Sequence, residues 1–171
     1  VSVLQRLARW RVRLGYVTAA VALVFAAPTW TSWSAGLAIA LVGAALRVWA
    51  AGHLEKSREV TQSGPYRFLP HPLYVGSAIL ALGAVVACGS LVVAVVTTAY
   101  MILTITAAVR TEEAFLRQAF GSAYDDYRTA RTEPVRRAFS LERARRNREH
   151  RALIGLVIGF TWLALRVLLS L

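Results

Sequence analysis

The sequence predicts an all-α integral membrane protein of five transmembrane helices, with short cytosolic surface helices between the fourth and fifth, as one domain over residues 1–171. Three observations predict it. Hydrophobic residues make up 57% of the 171 and mean hydropathy is +0.50, more apolar than ordinary soluble domains. Leu14 to Leu46 and Leu73 to Val109 carry no charged residue. Each run is too long for one span of about 20 residues and fits two joined by a tight turn. All but two of the 20 basic residues fall in alternate polar segments, and such residues accumulate on the cytoplasmic side. The N-terminus and both large polar loops are therefore expected in the cytoplasm and the C-terminus outside.

The first span, about 14–30, follows Arg6, Arg9, Arg11 and Arg13 and ends at Pro28-Thr29-Trp30-Thr31-Ser32-Trp33. This basic-then-apolar start lacks a convincing small-residue cleavage site and reads as a retained helix. The second span, about 33–52, contains Arg47 near its cytoplasmic end. An ionised residue there is a functional candidate or a side chain snorkelling to headgroups. In the loop 53–72, Ser63-Gly64-Pro65-Tyr66 is a turn signal, and Pro70 and Pro72 bracket His71 and favour extended backbone. Pro72 suits the first position of the third span, about 73–88. That helix start is suited to a carboxylate or phosphate, or it is a proline-stiffened loop without a ligand. Cys88-Gly89-Ser90 separates it from the fourth span, about 91–109.

Beyond Val109 the pattern turns amphipathic. Phe115, Leu116, Phe120, Tyr124 and Tyr127 recur at helical spacing, Gly121 is a helix stop, and Ser122 with Asp125 forms a capping-box pattern. Two short surface helices are expected. The fifth span, about 152–171, is broken only by Arg166, read as a snorkelling residue. The loops 53–72 and 110–150 make up the polar cytosolic region.

A net charge of +11 raises the question of nucleic acid, but an anionic leaflet attracts juxtamembrane Lys and Arg at roughly 1 kcal/mol each. Headgroup lipids account for Arg136-Arg137 and the arginines from Arg143 to Arg148, and no nucleic acid partner is expected. Cys88 has no partner for an internal disulfide, and His53, His71 and His150 lack metal-ligand spacing, so no metal site is expected. Glu112 and Glu113 stand together at the membrane edge, where one must face inward and find a partner. Arg110 fits a structural pair; a cation on a bound molecule fits a ligand site.

Four linked motifs resemble the isoprenylcysteine carboxyl methyltransferase family and its wider relatives, the membrane phospholipid methyltransferases. They are Gly64-Pro65-Tyr66-Arg67, His71-Pro72-x-Tyr74-x-Gly76, Arg110-x-Glu112-Glu113-x-x-Leu116, and Phe120-Gly121-x-x-Tyr124-x-x-Tyr127. Their order and spacing cover the stretch from about Arg47 to Arg131. The resemblance implies S-adenosylmethionine as cofactor, bound at the cytosolic face. By position it carries cofactor binding to Tyr66, His71, Pro72, Leu73, Tyr74 and Glu112, with Glu59, Val60 and Thr61 matching a preceding stretch.

On that basis Glu112 is expected to receive the ammonium or ribose hydroxyls, with Glu113 as helper. His71 and the third span's start would hold the carboxylate, and Tyr66 and Tyr74 would face the adenine or the sulfonium. Arg110, first, and Arg47, second, are the candidates to orient an ionised acceptor, and the reaction centre is assigned to Arg110 and Glu113. The implied reaction is methyl transfer to a lipophilic or lipidated acceptor, foremost the carboxylate of an isoprenylcysteine-like or other lipidic acid. A phenolic lipid hydroxyl or phospholipid amine is the alternative, the amine needing a base. Two departures concern the acceptor side: Pro70 stands where the family often has Arg, and Ala108 stands where the isoprenylcysteine branch has its substrate arginine. Membrane sterol-type reductases, which use a nicotinamide cofactor, resemble the same region, but they look longer and carry more spans ahead of it.

Overall fold

The computed structural model describes residues 3–129 and 136–169, with side chains from Arg13 onward. Among these residues the elements are α1 (Val3–Phe25), α2 (Trp30–Ala51), a 3-10 turn (Gly64–Arg67), α3 (Pro72–Cys88), α4 (Leu91–Phe120), α5 (Ser122–Arg128), α6 (Leu141–Arg146) and α7 (His150–Leu168). The described chain is all helical. By length and apolarity α2, α4 and α7 can cross a membrane, whereas Arg13–Phe25 of α1 and the 17-residue α3 are shorter. At 1.5 Å per residue α3 is about 25 Å long, below the roughly 30 Å hydrocarbon core. The expected five spans are thus supported by length at three helices. Between α4 and α7 lie the short helices α5 and α6.

Local chemistry sets most of the boundaries. α2 begins at Trp30, three residues before the expected start, because Thr29 and Ser32 cap it reciprocally: Ser32 N–H donates to Thr29 Oγ1 (3.1 Å) and Thr29 N–H to Ser32 Oγ (2.9 Å). Gly89, at φ +59, ends α3 in the left-handed conformation, and Ser90 caps α4. α4 does not stop at the apolar boundary near Val109 but runs unbroken to Phe120. Glu112, Glu113, Ala114, Leu116, Arg117, Gln118 and Ala119 are all good helix formers, so the membrane edge is not a helix end. Gly121 does stop it, at φ +52, with its N–H on Arg117 O (3.0 Å). The expected Ser122 capping box is absent, because Gly121 occupies the cap position of α5 and no side chain bonds there.

The α2–α3 pair is the most closely packed part of the bundle. Gly36, Ala40 and Gly43 of α2 meet Gly76, Leu80, Gly83 and Ala87 of α3 with backbone against backbone. A Cβ on Gly83 would lie 2.4 Å from Ala40 N and 2.5 Å from Gly36 O, and one on Gly43 would lie 2.5 Å from Leu80 N. Such small-residue seams let apolar helices associate through van der Waals contact where no hydrophobic driving force separates protein from lipid. α7 joins α2 through Phe160 and Leu163 in the buried core, with Trp33 Nε1 donating to Phe160 O (2.9 Å). Arg166 does not reach away from the bundle, as snorkelling would require. It donates to Leu23 O (2.5 Å) and Val24 O (3.3 Å) and lies over the Trp162 ring, satisfying carbonyls at the end of α1. Large apolar side chains including Leu91, Val95, Ile102, Val157 and Ile158 point outward, as suits a bilayer.

Candidate functional site

The C-terminal end of α2, the first turns of α3, the polar extension of α4, α5 and the start of α7 converge at one end of the bundle. They enclose a cavity of about 590 Å³, within the ~300–1,000 Å³ typical of small-molecule sites. All nine residues expected at the cofactor line it: Glu59, Val60 and Thr61 from the loop, Tyr66 from the 3-10 turn, His71, Pro72, Leu73 and Tyr74 from the start of α3, and Glu112 from α4. Arg47 lines it too. Glu113 and Arg110 are not among the lining residues, and Arg110 is exposed on α4.

The 3-10 turn depends on Gly64, whose φ is +59 and whose missing Cβ leaves room for the His53 ring; an added Cβ would sit 2.4 Å from His53 Cδ2. Tyr66 is thereby buried, and its carbonyl accepts from Tyr127 Oη (2.8 Å), tying α5 to the turn. Burial, followed by the nearby Glu112 charge, pushes the Tyr66 hydroxyl well above the usual phenol range, so it remains a donor. Burial, with Tyr124 beside it, pushes Tyr127 up to about 12. Pro72 opens α3 with His71 as its cap residue.

The adjacent glutamates divide their roles. Glu113 Oε1 lies 3.2 Å from His71 Nε2, accepts from Arg128 of α5, and Glu113 Oε2 lies 3.9 Å from Arg117. Glu113 therefore joins α3, α4 and α5. Glu112 is half-buried, lines the cavity and makes no hydrogen bond or ion pair among the described residues. Its carboxylate is thus free to meet a cation or hydroxyl of a bound molecule.

The segment after α5 holds the loop side of the cavity. Arg137 grips Glu59 through both oxygens (2.6 and 2.9 Å). Arg143 donates to Glu55 Oε1 (2.7 Å), Arg146 approaches the same oxygen (3.3 Å), and Asn147 Nδ2 donates to Ala51 O and Leu54 O (2.9 Å each). The Arg143 hydrogen bond, despite burial, holds the Glu55 carboxyl below its ordinary range. His53 is 5% exposed and bonded to Ser63 Oγ at 3.1 Å; burial, then Arg143 and Arg137, push its imidazole down. Arg137, Arg143 and Arg146, expected to meet lipid headgroups, thus bind carboxylates of the chain itself.

At the inner end of the cavity Arg47 meets Glu149, which is 4% exposed and immediately precedes α7. Nε and Nη2 of Arg47 lie 2.6 and 3.0 Å from the two carboxylate oxygens, and Nη1 reaches Leu73 O (3.4 Å) and Ser77 Oγ. Sequence reasoning missed Glu149. Its one signal was a carboxylate three residues ahead of an apolar run in a chain with only nine acidic residues.

A family model described as phospholipid methyltransferase matches residues 14–123. The chain belongs to the phospholipid methyltransferase family. The stretch shared with the phospholipid methyltransferases covers every cofactor candidate, while α6, Glu149 and α7 lie beyond it. The cobalt-zinc-cadmium resistance protein CzcN of Cupriavidus metallidurans is 34% identical over 127 residues, 67% of this chain and 56% of that protein. The chain thus spans little more than half the length of this curated relative. No solved structure matches the chain.

Proposed function

We propose that the chain is an integral membrane S-adenosylmethionine-dependent methyltransferase acting on a lipophilic acceptor, with its cavity on the cytosolic side. The observation that carries this reading is Glu112, an inward carboxylate without an internal partner in a cavity lined by every family-matched cofactor residue. The donor set suits the cofactor's mixed charge: Glu112 for its ammonium or ribose hydroxyls, Tyr66 and Tyr74 for its flat and cationic parts, and the start of α3 for its carboxylate. When bound, S-adenosylmethionine supplies an electrophilic methyl group on a sulfonium.

The chain's own residues then position and desolvate. His71, held by Glu113, keeps the start of α3 at a fixed distance from α4. Tyr66, kept protonated, donates rather than competes as an anion. The loop pinned by Arg137 and Arg143 limits water entry from the cytosolic side. Fixed geometry of this kind lowers the barrier of a bimolecular transfer mainly by prepaid orientation. Arg110, exposed and outside the lining, has no part in this reading. Calorimetric titration of the purified chain tests it: S-adenosylhomocysteine should bind and NADPH should not. Binding of NADPH alone would place the chain with the reductases.

A further inference from the structure

The inner end of the cavity carries a charge pattern that the cofactor reading does not use. Arg47 is the cation there among the described residues, and the Nε and Nη2 edge of its guanidinium, the geometry that takes a carboxylate in two parallel bonds, is already filled by Glu149. Its third nitrogen is turned to Leu73 O and Ser77 Oγ. The other Lys or Arg side chain lining the cavity, Lys56, is exposed on the loop. Besides Glu112, α4 contributes the hydroxyls of Thr104 and Thr111 to the lining. Each hydroxyl donates to its own helix, Thr104 to Tyr100 O (2.7 Å) and Thr111 to Ala107 O (2.8 Å). A hydroxyl that has spent its proton offers lone pairs. Those oxygens complement an incoming O–H or N–H and repel a carboxylate.

We propose that Glu149, by occupying the Arg47 guanidinium, makes the inner end of the cavity selective for an acceptor that arrives without negative charge, a lipid alcohol, phenol or neutral amine, over a carboxylate. Glu149 is a specificity-determining residue acting through Arg47. The inference rests on the methyltransferase reading for its chemistry. In transfer to a hydroxyl, an oxygen lone pair forms the bond to the methyl carbon while the carbon–sulfur pair leaves with sulfur. The hydroxyl proton passes to water.

The test uses the full chain in discs of zwitterionic phospholipid with a matched pair of probes, para-octylphenol and para-octylbenzoate. At about pH 8 the benzoate is ionised and the phenol, with a pKa near 10, is not. Direct binding should favour the phenol by roughly tenfold or more in the native chain. In Glu149→Gln, which frees the guanidinium, the ratio should move at least about tenfold toward the benzoate, and adding Arg47→Gln should reverse that move. Thr104→Val, nearly isosteric, should weaken the phenol and spare the benzoate. It decides together with the native ratio if Glu149→Gln does not fold. A native preference for the benzoate, or an unchanged ratio in a folded Glu149→Gln chain, overturns the proposal. Loss of the transfer reading is recognised separately: S-adenosylhomocysteine would fail to bind while the probe ratio stood.

Discussion

The two sides of α3 do opposite things. Toward α2 it presents Gly76, Gly83 and Ala87 and comes into backbone contact; toward the cavity it presents Leu73, Tyr74 and Ser77 and leaves space unfilled. The difference teaches how a thin membrane bundle keeps a cavity open. The seam closes backbone on backbone with few side chains that can change rotamer, and that rigidity lets the other side remain unfilled. The cavity side is held by charge instead, through Arg47–Glu149, His71–Glu113 and Arg137–Glu59.

The largest effect should come from breaking the seam. Gly83→Leu places a side chain where Ala40 N lies 2.4 Å away, and with only backbone to move it should cost about 3 kcal/mol. Thermal unfolding in detergent would register this as loss of a monodisperse folded species. Gly155→Leu on α7, where an added Cβ meets nothing within 4 Å, should stay within about 0.5 kcal/mol. If both behave alike, the seam is not what holds the helices.

Next in size is the cavity carboxylate. Glu112→Gln should lower S-adenosylhomocysteine affinity by roughly 10- to 100-fold, about 1.4–2.7 kcal/mol, and leave the melting temperature where it was. Glu113→Gln should do the reverse and lower the melting temperature, since it removes the group joining His71 and Arg128. Equal affinity losses in the two would erase the division of labour between them.

Smaller still is the outer rim. Arg137→Gln removes a two-point ion pair, but Glu59 is 41% exposed, and solvent screening leaves such a pair roughly 0–1 kcal/mol. Its loss should show as faster amide exchange in residues 55–61 rather than as a changed melting temperature, and added salt should mimic it.

The gentlest perturbation is acid. Both His53 and Glu55 are held below their ordinary values of 6.5 and 4.5, so the unfolded chain binds more protons than the folded one as pH falls through those values. Their contribution is full above the unfolded values and is lost on acidification. Protection of residues 52–61, taken relative to the intrinsic exchange rate at each pH, should fall below about pH 6.5 and again below about 4.5, while α2 and α3 stay protected. Uniform loosening of seam and rim together would contradict a local origin.

Helix positions were legible because hydropathy and turn chemistry act locally: Cys88-Gly89-Ser90 and Gly121 end helices where the sequence says they should. The lining was legible because His71, Tyr74 and Glu112 sit at motif spacings. The end of α4 was misread because hydropathy falls at Arg110 while helix propensity does not. Partners far apart in sequence were invisible. Nothing local says that Arg47 meets Glu149, 102 residues on, or that Glu59 meets Arg137. The glycines of α2 and α3 carry a small-residue pattern, but only the pairing of those two helices gives it meaning.

Glu149 immediately precedes α7 and Arg166 lies in its last turn, and α7 is the last helix of the described residues to be made. Until α7 emerges during synthesis, Arg47 near the C-terminal end of α2 lacks its carboxylate, and the closing carbonyls of α1 lack the guanidinium that later covers them. The arrival of α7 is therefore chemically marked. A chain without α7 would carry a bare cation at one end of the bundle and open backbone carbonyls at the other.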